Sequence, residues 1–218
     1  MKKLVIFDCD GTLVDSEVIA TKVFTRYWAT HGVNFTEDEF KEKFIGTGKN
    51  APIVIETFSK MPEYANEEGD RLLDEELERN LCAVEGMVEL VSELSNDICV
   101  ASNSSLNYVK SALKKTKLDV CFNQNVFSAE QVKNPKPSPD LFLFACSELG
   151  YEPYDCIVIE DSVSGIKAAQ NANMKVISFS GAAHFVPSLE RNLKLANATW
   201  HCSSVSELKH LLLSEGLL

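Results

Sequence analysis

The chain has 218 residues, enough for one sizeable hydrophobic core or for one domain that carries a second, smaller one. Its formal net charge of -11, without a dense run of Lys or Arg, speaks against nucleic-acid binding, because phosphate backbones bind basic surfaces. No apolar run approaches the roughly 18 residues of a membrane span, and the apolar stretch after Lys3 is too short for a signal peptide.

The seven cysteines are scattered along the chain and form no CxxC pair. Their odd number and their spacing favour neither a disulfide framework nor a zinc site. Several lie in apolar runs, where a free cysteine packs as a small hydrophobic residue. We therefore expect a cytoplasmic protein with no membrane partner. No apolar surface repeat is evident, so a monomer is expected.

Five short apolar runs predict the strands of a buried sheet. They are residues 4–7, 98–101, 126–127, 156–159 and 175–179. Continuous apolar runs of this length are typical of strands that are covered on both faces, as in a parallel sheet.

Helical patterns lie between these runs. Apolar residues of segment 106–113 recur at helical spacing after the serine pair 104–105, which offers good N-caps. A second helix is predicted to open with Ser138 as its cap and Pro139 at its first position, and to end at Gly150. Alternating strands and helices indicate an α/β fold, a parallel sheet with helices on both faces.

The stretch between the first two predicted strands breaks this alternation. Residues 16–82 contain no convincing strand, Thr36 opens a predicted capping box, and segment 70–81 has the pattern of a charged amphipathic helix. Roughly 65 residues are more than a parallel connection needs. We therefore predict an inserted α-helical cap domain at 16–82 and a core made of 1–15 and 83–218.

Two carboxylates follow the first predicted strand. Asp8 and Asp10 are two residues apart on an extended segment and should project to the same side, after which Gly11 allows the chain to turn. The carboxyl ends of parallel strands are where open α/β sheets bind ligands. An isolated Asp-x-Asp is more often a turn or a helix cap, so the pair needs support from elsewhere in the chain.

Matching groups follow three later elements. Glu160 and Asp161 come directly after the fourth predicted strand and add oxygen donors of the kind that Mg2+ prefers. Ser102 and Asn103 follow the second, where a hydroxyl and backbone amides at a helix entrance form an anion site. Lys136 lies between two prolines that restrict its backbone. Each signal is weak alone, but at one edge of one sheet they predict a common site.

With these residues the chain resembles the haloacid dehalogenase superfamily of phosphotransferases, in the branch with a helical cap after the first motif. The resemblance covers essentially the whole chain. It rests on Ser102 and on residues 8–17 (DCDGTLVDSE), 136–140 (KPSPD) and 160–169 (EDSVSGIKAA). The nearest relatives it indicates are β-phosphoglucomutase-like phosphatases, including enzymes of the 6-phosphogluconate phosphatase type. It implies a Rossmann-like core, Mg2+ as cofactor and a small phosphorylated metabolite as partner.

The resemblance also implies a role for each acidic residue. Asp8 would be the nucleophile and form an aspartyl-phosphate. Mg2+ would be held by Asp8, the backbone carbonyl of Asp10, and Asp161, with Glu160 in or near its coordination sphere. Asp10 would protonate the leaving alcohol and later accept a proton from water. Lys136 would offset the negative charge of the reacting groups.

Substrate contacts are expected from Ser102, Asn103 and Lys49. By the resemblance, Ser102 and neighbouring amides hold the phosphoryl oxygens. Lys49 lies in a glycine-flanked loop of the predicted cap and is the residue expected to contact an anionic part of the substrate, such as a sugar-acid carboxylate; a solvated surface Lys is the alternative. None of the four histidines matches a catalytic position of the family, although His184 could line the site from a loop.

Departures from the family pattern separate the alternatives. Dehalogenases lack the second Asp, so Asp10 favours phosphoryl transfer over carbon–halogen cleavage. β-Phosphoglucomutases have His where this chain has Ala20 and Arg where it has Lys49, which favours a sugar-phosphate phosphatase over a phosphosugar mutase. A phosphoacceptor signalling module uses similar groups, but such modules are about half as long, lack a cap and have their Asp on a later strand.

Overall fold

A computed structural model describes residues 2–47 and 51–218 of the chain. Within these residues, six parallel strands form one sheet in the order β3-β2-β1-β4-β5-β6. The strands are β1 (Leu4–Phe7), β2 (Asp97–Ser102), β3 (Val126–Ser128), β4 (Cys156–Glu160), β5 (Lys175–Phe179) and β6 (Trp200–Cys202). The predicted α/β fold with a Rossmann-like parallel sheet is confirmed.

The central strand is buried on both faces. Val5 and Phe7 of β1 belong to one hydrophobic cluster, whereas Leu4 and Ile6 belong to a second cluster on the opposite face, and all four side chains are fully buried. Successive side chains of a strand point to opposite faces. A continuous apolar run is therefore what a sheet covered on both sides requires.

Helices cover the two faces of the sheet, as predicted. In the described residues the helices are α1 (Ser16–Ala29), α2 (Glu37–Phe44), α3 (Pro52–Phe58), α4 (Ala65–Asn80), α5 (Met87–Ser92), α6 (Leu106–Lys115), α7 (Asp119–Phe122), α8 (Asp140–Glu148), α9 (Val163–Asn171), α10 (Pro187–Leu195) and α11 (Val205–Ser214). None of them combines the length and the apolar composition needed to cross a bilayer. α5, α6 and α11 contribute to the first cluster, and α8 and α9 contribute to the second.

Two of the three predicted helix N-caps are confirmed. Thr36 and Glu39 form the predicted capping box of α2, and the Ser105 side chain accepts a hydrogen bond from the Tyr108 N–H at the start of α6. For α8 the prediction was wrong by one residue. Pro139 is the N-cap, because the Ser138 hydroxyl donates to the Asp140 carboxylate, 2.5 Å away, instead of capping the helix.

Of the five described helices between β1 and β2, the first four, α1 to α4, share a hydrophobic cluster of their own that is rich in aromatic rings. The ring of Trp28 on α1 lies 5.3 Å from that of Phe40, 5.0 Å from that of Phe44 and 5.6 Å from that of Phe58, centroid to centroid. This cluster is distinct from the two that line the sheet. We keep residues 16–82 as the proposed cap domain.

The two chain segments that lead into and out of these helices run side by side. The Asp15 N–H donates to the Cys82 carbonyl at 3.0 Å, and the Val84 N–H donates to the Leu13 carbonyl at 3.0 Å. Val14 forms an antiparallel bridge with Ala83. We refer to this pair of segments, residues 13–15 and 82–84, as the paired linkers.

Candidate active site

The site lies where the order of the strands reverses. β1 has β2 on one side and β4 on the other, so the connections that follow it diverge and leave a crevice at the carboxyl edge. Asp8 follows β1 and its N–H donates to the Ile159 carbonyl of β4 at 3.0 Å. Glu160 ends β4 and Asp161 comes next. The sheet therefore brings these three acidic residues into the crevice.

Asp8, Glu160 and Asp161 form a buried acidic cluster. One carboxylate oxygen of each lies within 4.8 Å of the others, and none of the three residues is more than 8% exposed. Burial is the main cause that raises the pKa of Asp8 to about 8, and repulsion from Glu160 adds to it. Burial likewise raises the pKa of Asp161 well above its ordinary value, again with repulsion from Glu160. Such a cluster favours the binding of positive charge.

One buried Lys supplies part of that charge. The Lys136 ammonium lies 2.6 Å from Asp8 Oδ1 and 2.6 Å from Glu160 Oε1. Its side chain is 2% exposed. Burial disfavours the charged form, but attraction to the two carboxylates outweighs it, and the pKa of Lys136 lies above its ordinary value. Lys136 is therefore a fixed cation that touches the predicted nucleophile.

The backbone of Lys136 is held by Asn103. The Lys136 N–H donates to Asn103 Oδ1 at 3.0 Å, and the Asn103 amide donates to the Lys136 carbonyl at 3.2 Å. Ser102, at the end of the strand next to β1, is 2% exposed, and its hydroxyl accepts from the Ser104 N–H at 3.1 Å. The carboxamide of Asn103 thus positions the Lys, whereas its predicted contact with substrate stays a prediction.

Asp10 has a set of hydrogen bonds that involves none of the three cluster residues. Three hydroxyls donate to its carboxylate: Ser16 at 2.6 Å and Tyr108 at 2.7 Å to Oδ1, and Ser104 at 2.7 Å to Oδ2. Burial and then the charge of Asp10 raise the pKa of the Tyr108 phenol above its ordinary value, so the hydroxyl stays protonated and donates. The carboxylate is held beside the cluster, where it can exchange a proton with a ligand.

None of these three donors is among the predicted site residues, although Ser16 lies within the first motif. Ser104 was assigned only a capping role, and Tyr108 carries no motif signal. Tyr108 lies in the first turn of α6, and the cap formed by Ser105 sets the direction of that turn at the edge of the sheet. For Tyr108, the only signal in the sequence that could have located it at the site is therefore the Ser105 cap of α6.

Glycines make room for two of the acidic side chains. A Cβ built on Gly165 of α9 would lie 1.8 Å from Glu160 Oε1. Gly11 has a φ of 72°, and a Cβ there would lie 2.1 Å from Asp161 Oδ2. A side chain at either position would displace the carboxylate.

We expect Gly165→Ala to lower kcat/KM by at least about 10²-fold, because a small displacement of site groups can cost that much. An Ala in a helix interior normally stabilises a protein by roughly 0.5–1 kcal/mol relative to Gly, so general weakening of α9 is not the expected cause. Steady-state kinetics and thermal unfolding measure the two effects. Gly150→Ala is the control, since its Cβ would meet no atom within 4 Å, although its φ of 74° adds backbone strain. Unchanged kinetics in Gly165→Ala would contradict the prediction.

His184 lies beside the acidic cluster, as the sequence allowed. Its Nε2 is 3.5 Å from Asp161 Oδ2, and its side chain is 1% exposed. Burial, followed by repulsion from Lys41, lowers the pKa of His184 to about 4, so the ring is neutral. Lys49 lies outside the described residues, and its predicted contact stays a prediction. Gly46 approaches the site, since a Cβ there would lie 3.7 Å from the Ser162 Cβ.

The acidic cluster fits a divalent cation. Its donors are all carboxylate oxygens, the ligands that hard cations such as Mg2+ prefer. Glu160 is the most constrained donor, because Oε1 accepts from Lys136 and Oε2 accepts from the N–H and the hydroxyl of Ser162, both at 2.9 Å. Asp8 and Asp161 are thus freer to turn an oxygen towards a cation.

Comparison with known proteins places the chain among hydrolases. Residues 5–179 match a family described as haloacid dehalogenase-like hydrolase. A 6-phosphogluconate phosphatase of Escherichia coli (strain K12) is 31% identical over 191 residues, covering 84% of this chain and 85% of that protein. A phosphorylated carbohydrates phosphatase of Thermotoga maritima is 29% identical over 181 residues, covering 79% of this chain and 82% of that protein.

A solved structure agrees over the whole chain. The crystal structure of a haloacid dehalogenase-like protein of unknown function from Agrobacterium tumefaciens superposes with a TM-score of 0.90 at 34% identity. The superposition covers 99% of this chain and 100% of that one. The segment matched by the family runs from β1 to β5 and so contains every predicted site residue.

Proposed function

This chain belongs to the haloacid dehalogenase-like hydrolases and is a phosphoric monoester hydrolase, and we propose that it is a Mg2+-dependent phosphatase of a sugar phosphate or phosphorylated sugar acid. One observation carries the proposal. Asp8 is in contact with Lys136 at 2.6 Å and lies within the acidic cluster, while Asp10, two residues on, has a separate set of hydrogen bonds. The two carboxylates are thus suited to different tasks.

In the first step Asp8 is the nucleophile. One of its carboxylate oxygens attacks phosphorus, the bond from phosphorus to the leaving oxygen breaks, and that oxygen takes a proton from Asp10. The products are the free alcohol and an aspartyl-phosphate on Asp8. The Lys136 ammonium reduces the repulsion between a carboxylate and a phosphate dianion.

In the second step water cleaves the intermediate. Asp10, now a carboxylate, accepts a proton from the water that attacks phosphorus. The bond between phosphorus and the Asp8 oxygen breaks, which releases phosphate and restores both side chains. Three hydroxyl groups donate to the Asp10 carboxylate and hold it in place for this step.

The acidic cluster would hold Mg2+ through Asp8 and Asp161, with the Asp10 carbonyl and Glu160 as the further proposed ligands. Bound there, the ion would neutralise charge on the phosphoryl oxygens. Ser102 and the backbone amides that follow β2 are the proposed contacts for the same oxygens.

The proposed cap would determine which leaving alcohol of the phosphate ester is accepted. Gly46 lies against the β4–α9 turn, so the chain that follows α2 begins at the site, three residues before Lys49. A sugar acid would present a carboxylate to Lys49. Relatives named for 6-phosphogluconate and for phosphorylated carbohydrates support this class of substrate. A phosphosugar mutase is the alternative that Ala20 argues against.

A panel of phosphate esters tests the substrate class. The purified protein is incubated with Mg2+ and with sugar phosphates, sugar-acid phosphates, nucleotides and phosphoamino acids, and free phosphate is measured alongside isomer formation. We expect phosphate release to be fastest for the sugar derivatives. Isomer formation with little phosphate release would show a mutase, and a preference for nucleotides or phosphoamino acids would refute the substrate class.

We expect Tyr108→Phe to lower kcat for sugar phosphates by about 10–100-fold, since a hydrogen bond to a charged group is worth about 1.5–3 kcal/mol. p-Nitrophenyl phosphate has a leaving group that needs no proton, so its burst rate should fall much less. Rapid-quench measurements of both substrates separate the steps. Tyr151→Phe is the control, because its hydroxyl also donates to an Asp, Asp97, but at an exposed position. Equal losses for both substrates would show that Tyr108 does not act through proton transfer to the leaving group.

We also propose that the protein acts in the cytoplasm and as a monomer. All seven cysteines are free thiols, and five of them are buried. This use of cysteine is typical of a reducing compartment. Size-exclusion chromatography with light scattering tests the oligomeric state.

A further inference from the structure

His184 is held tightly beside the proposed metal site. Its loop follows β5 and is attached to the paired linkers, because the Ala183 N–H donates to Asp15 Oδ1 at 3.1 Å. The imidazole occupies the space that Gly11 leaves, since a Cβ on Gly11 would lie 2.8 Å from His184 Cε1. The Phe185 ring lies 4.3 Å from it, centroid to centroid. The backbone bond of Ala183 and the contacts with Gly11 and Phe185 together restrict the position of the ring.

Neither ring nitrogen of His184 has a hydrogen-bond partner among the described residues. Polar atoms buried without a partner are destabilising, so an apolar side chain would serve packing better here. The Asp161 carboxylate lies close to Nε2, at 3.5 Å to Oδ2. The other oxygen of that carboxylate, Oδ1, accepts from the Thr12 hydroxyl at 3.2 Å. Thr12 and His184 therefore flank the two oxygens of one carboxylate.

We propose that His184 is a positioning residue for the metal ion, whose Nε2–H donates to Asp161 Oδ2 and fixes the orientation in which this carboxylate meets the cation. The inference rests on the proposed function, because it assumes that Asp161 is a metal ligand. Groups that hydrogen-bond a ligating carboxylate are part of a metal site, and their loss costs about 10–100-fold in metal affinity. For this role the His184 ring must donate a hydrogen bond from Nε2, and its charge need not change.

Metal binding tests the proposal without reference to turnover. Metal-free wild type, His184→Leu and His184→Gln are titrated with Mn2+, and free Mn2+ is followed by electron paramagnetic resonance; Mg2+ affinity is obtained by competition. We expect His184→Leu to bind both ions about 10–100-fold more weakly. His184→Gln should stay within about threefold of wild type, because an amide N–H can replace the Nε2 donor. His210→Leu, at an exposed position of α11, is the matched control and should bind like wild type.

A second measurement separates positioning from packing. Thermal unfolding in EDTA should find His184→Leu at least as stable as wild type, since no unpaired nitrogen remains. Wild-type affinity in His184→Leu, or marked destabilisation without metal, would overturn the proposal. Co2+ and Zn2+ are measured by the same competition, and a loss of affinity confined to these two ions in His184→Leu, with Mg2+ affinity kept, would overturn it in favour of direct nitrogen ligation. If the wild type itself bound neither Mn2+ nor Mg2+, the proposed function would fail instead.

Discussion

Asp8→Asn is expected to abolish turnover, with a fall in kcat of at least about four orders of magnitude, as for the loss of other covalent nucleophiles. An amide oxygen is a poor nucleophile, and the aspartyl-phosphate cannot form. Rapid acid quench with a 32P-labelled substrate should trap label on the wild-type protein and none on the variant. Measurable turnover together with label on Asp8→Asn would show that Asp8 is not the nucleophile.

The pH dependence of stability provides the control for this variant. The pKa of Asp8 is raised from its ordinary value of 3.8 to about 8, so the folded state holds this proton more tightly than the unfolded state. The contribution of Asp8 to stability therefore falls as pH rises from about 4 to about 8. In EDTA, wild type should lose more stability across this range than Asp8→Asn, which has no proton to lose at this position. Parallel losses in both proteins would show that Asp8 is not the group responsible.

Lys136→Met should lower both activity and stability. Removal of one member of a buried ion pair leaves uncompensated charge and costs about 3–5 kcal/mol of the free energy of unfolding. The substitution removes this partner from Asp8 and Glu160, each of which has an oxygen 2.6 Å from the ammonium of Lys136. We expect kcat/KM to fall by about 10²–10³-fold, because a preorganised donor to the reacting charge is lost. Urea unfolding in EDTA and steady-state kinetics measure the two losses.

Mg2+ separates the two roles of this Lys. A cation in the acidic cluster supplies positive charge, so millimolar Mg2+ should recover part of the lost stability but little of the lost activity. Lys133→Met, three residues earlier and exposed, should behave like wild type in both measurements. Wild-type stability of Lys136→Met in EDTA would show that the buried pairs contribute nothing to folding.

The position of the site could be predicted because it depends on strand ends. A parallel strand buried on both faces has a strong apolar signature, and the residue that follows it must lie at the carboxyl edge of the sheet. Asp8 and Asp161 follow from this rule with no knowledge of side-chain contacts. β6 escaped prediction because it has only three residues and includes the half-buried His201.

Contacts between elements could not be predicted in the same way. Tyr108 reaches Asp10 from α6 across 98 residues of sequence, and His184 reaches Asp161 from the loop after β5. Each contact depends on how a helix or loop packs against the sheet, which leaves no periodic pattern in the sequence. The same holds for Gly165, whose small size matters only because Glu160 occupies the space beside it.

The paired linkers have a consequence for how such enzymes diversify. The chain leaves the sheet and returns to it at neighbouring points, with Val14 bridged to Ala83. The two ends of the segment between the paired linkers are thus already joined. The entropic cost of closing a loop grows only slowly with the length of the loop. Segments of different length or sequence could be exchanged between these two points without a shift in strand register. Under the proposed division between cap and core, such an exchange would change the alcohol that is recognised and leave the phosphorus chemistry untouched.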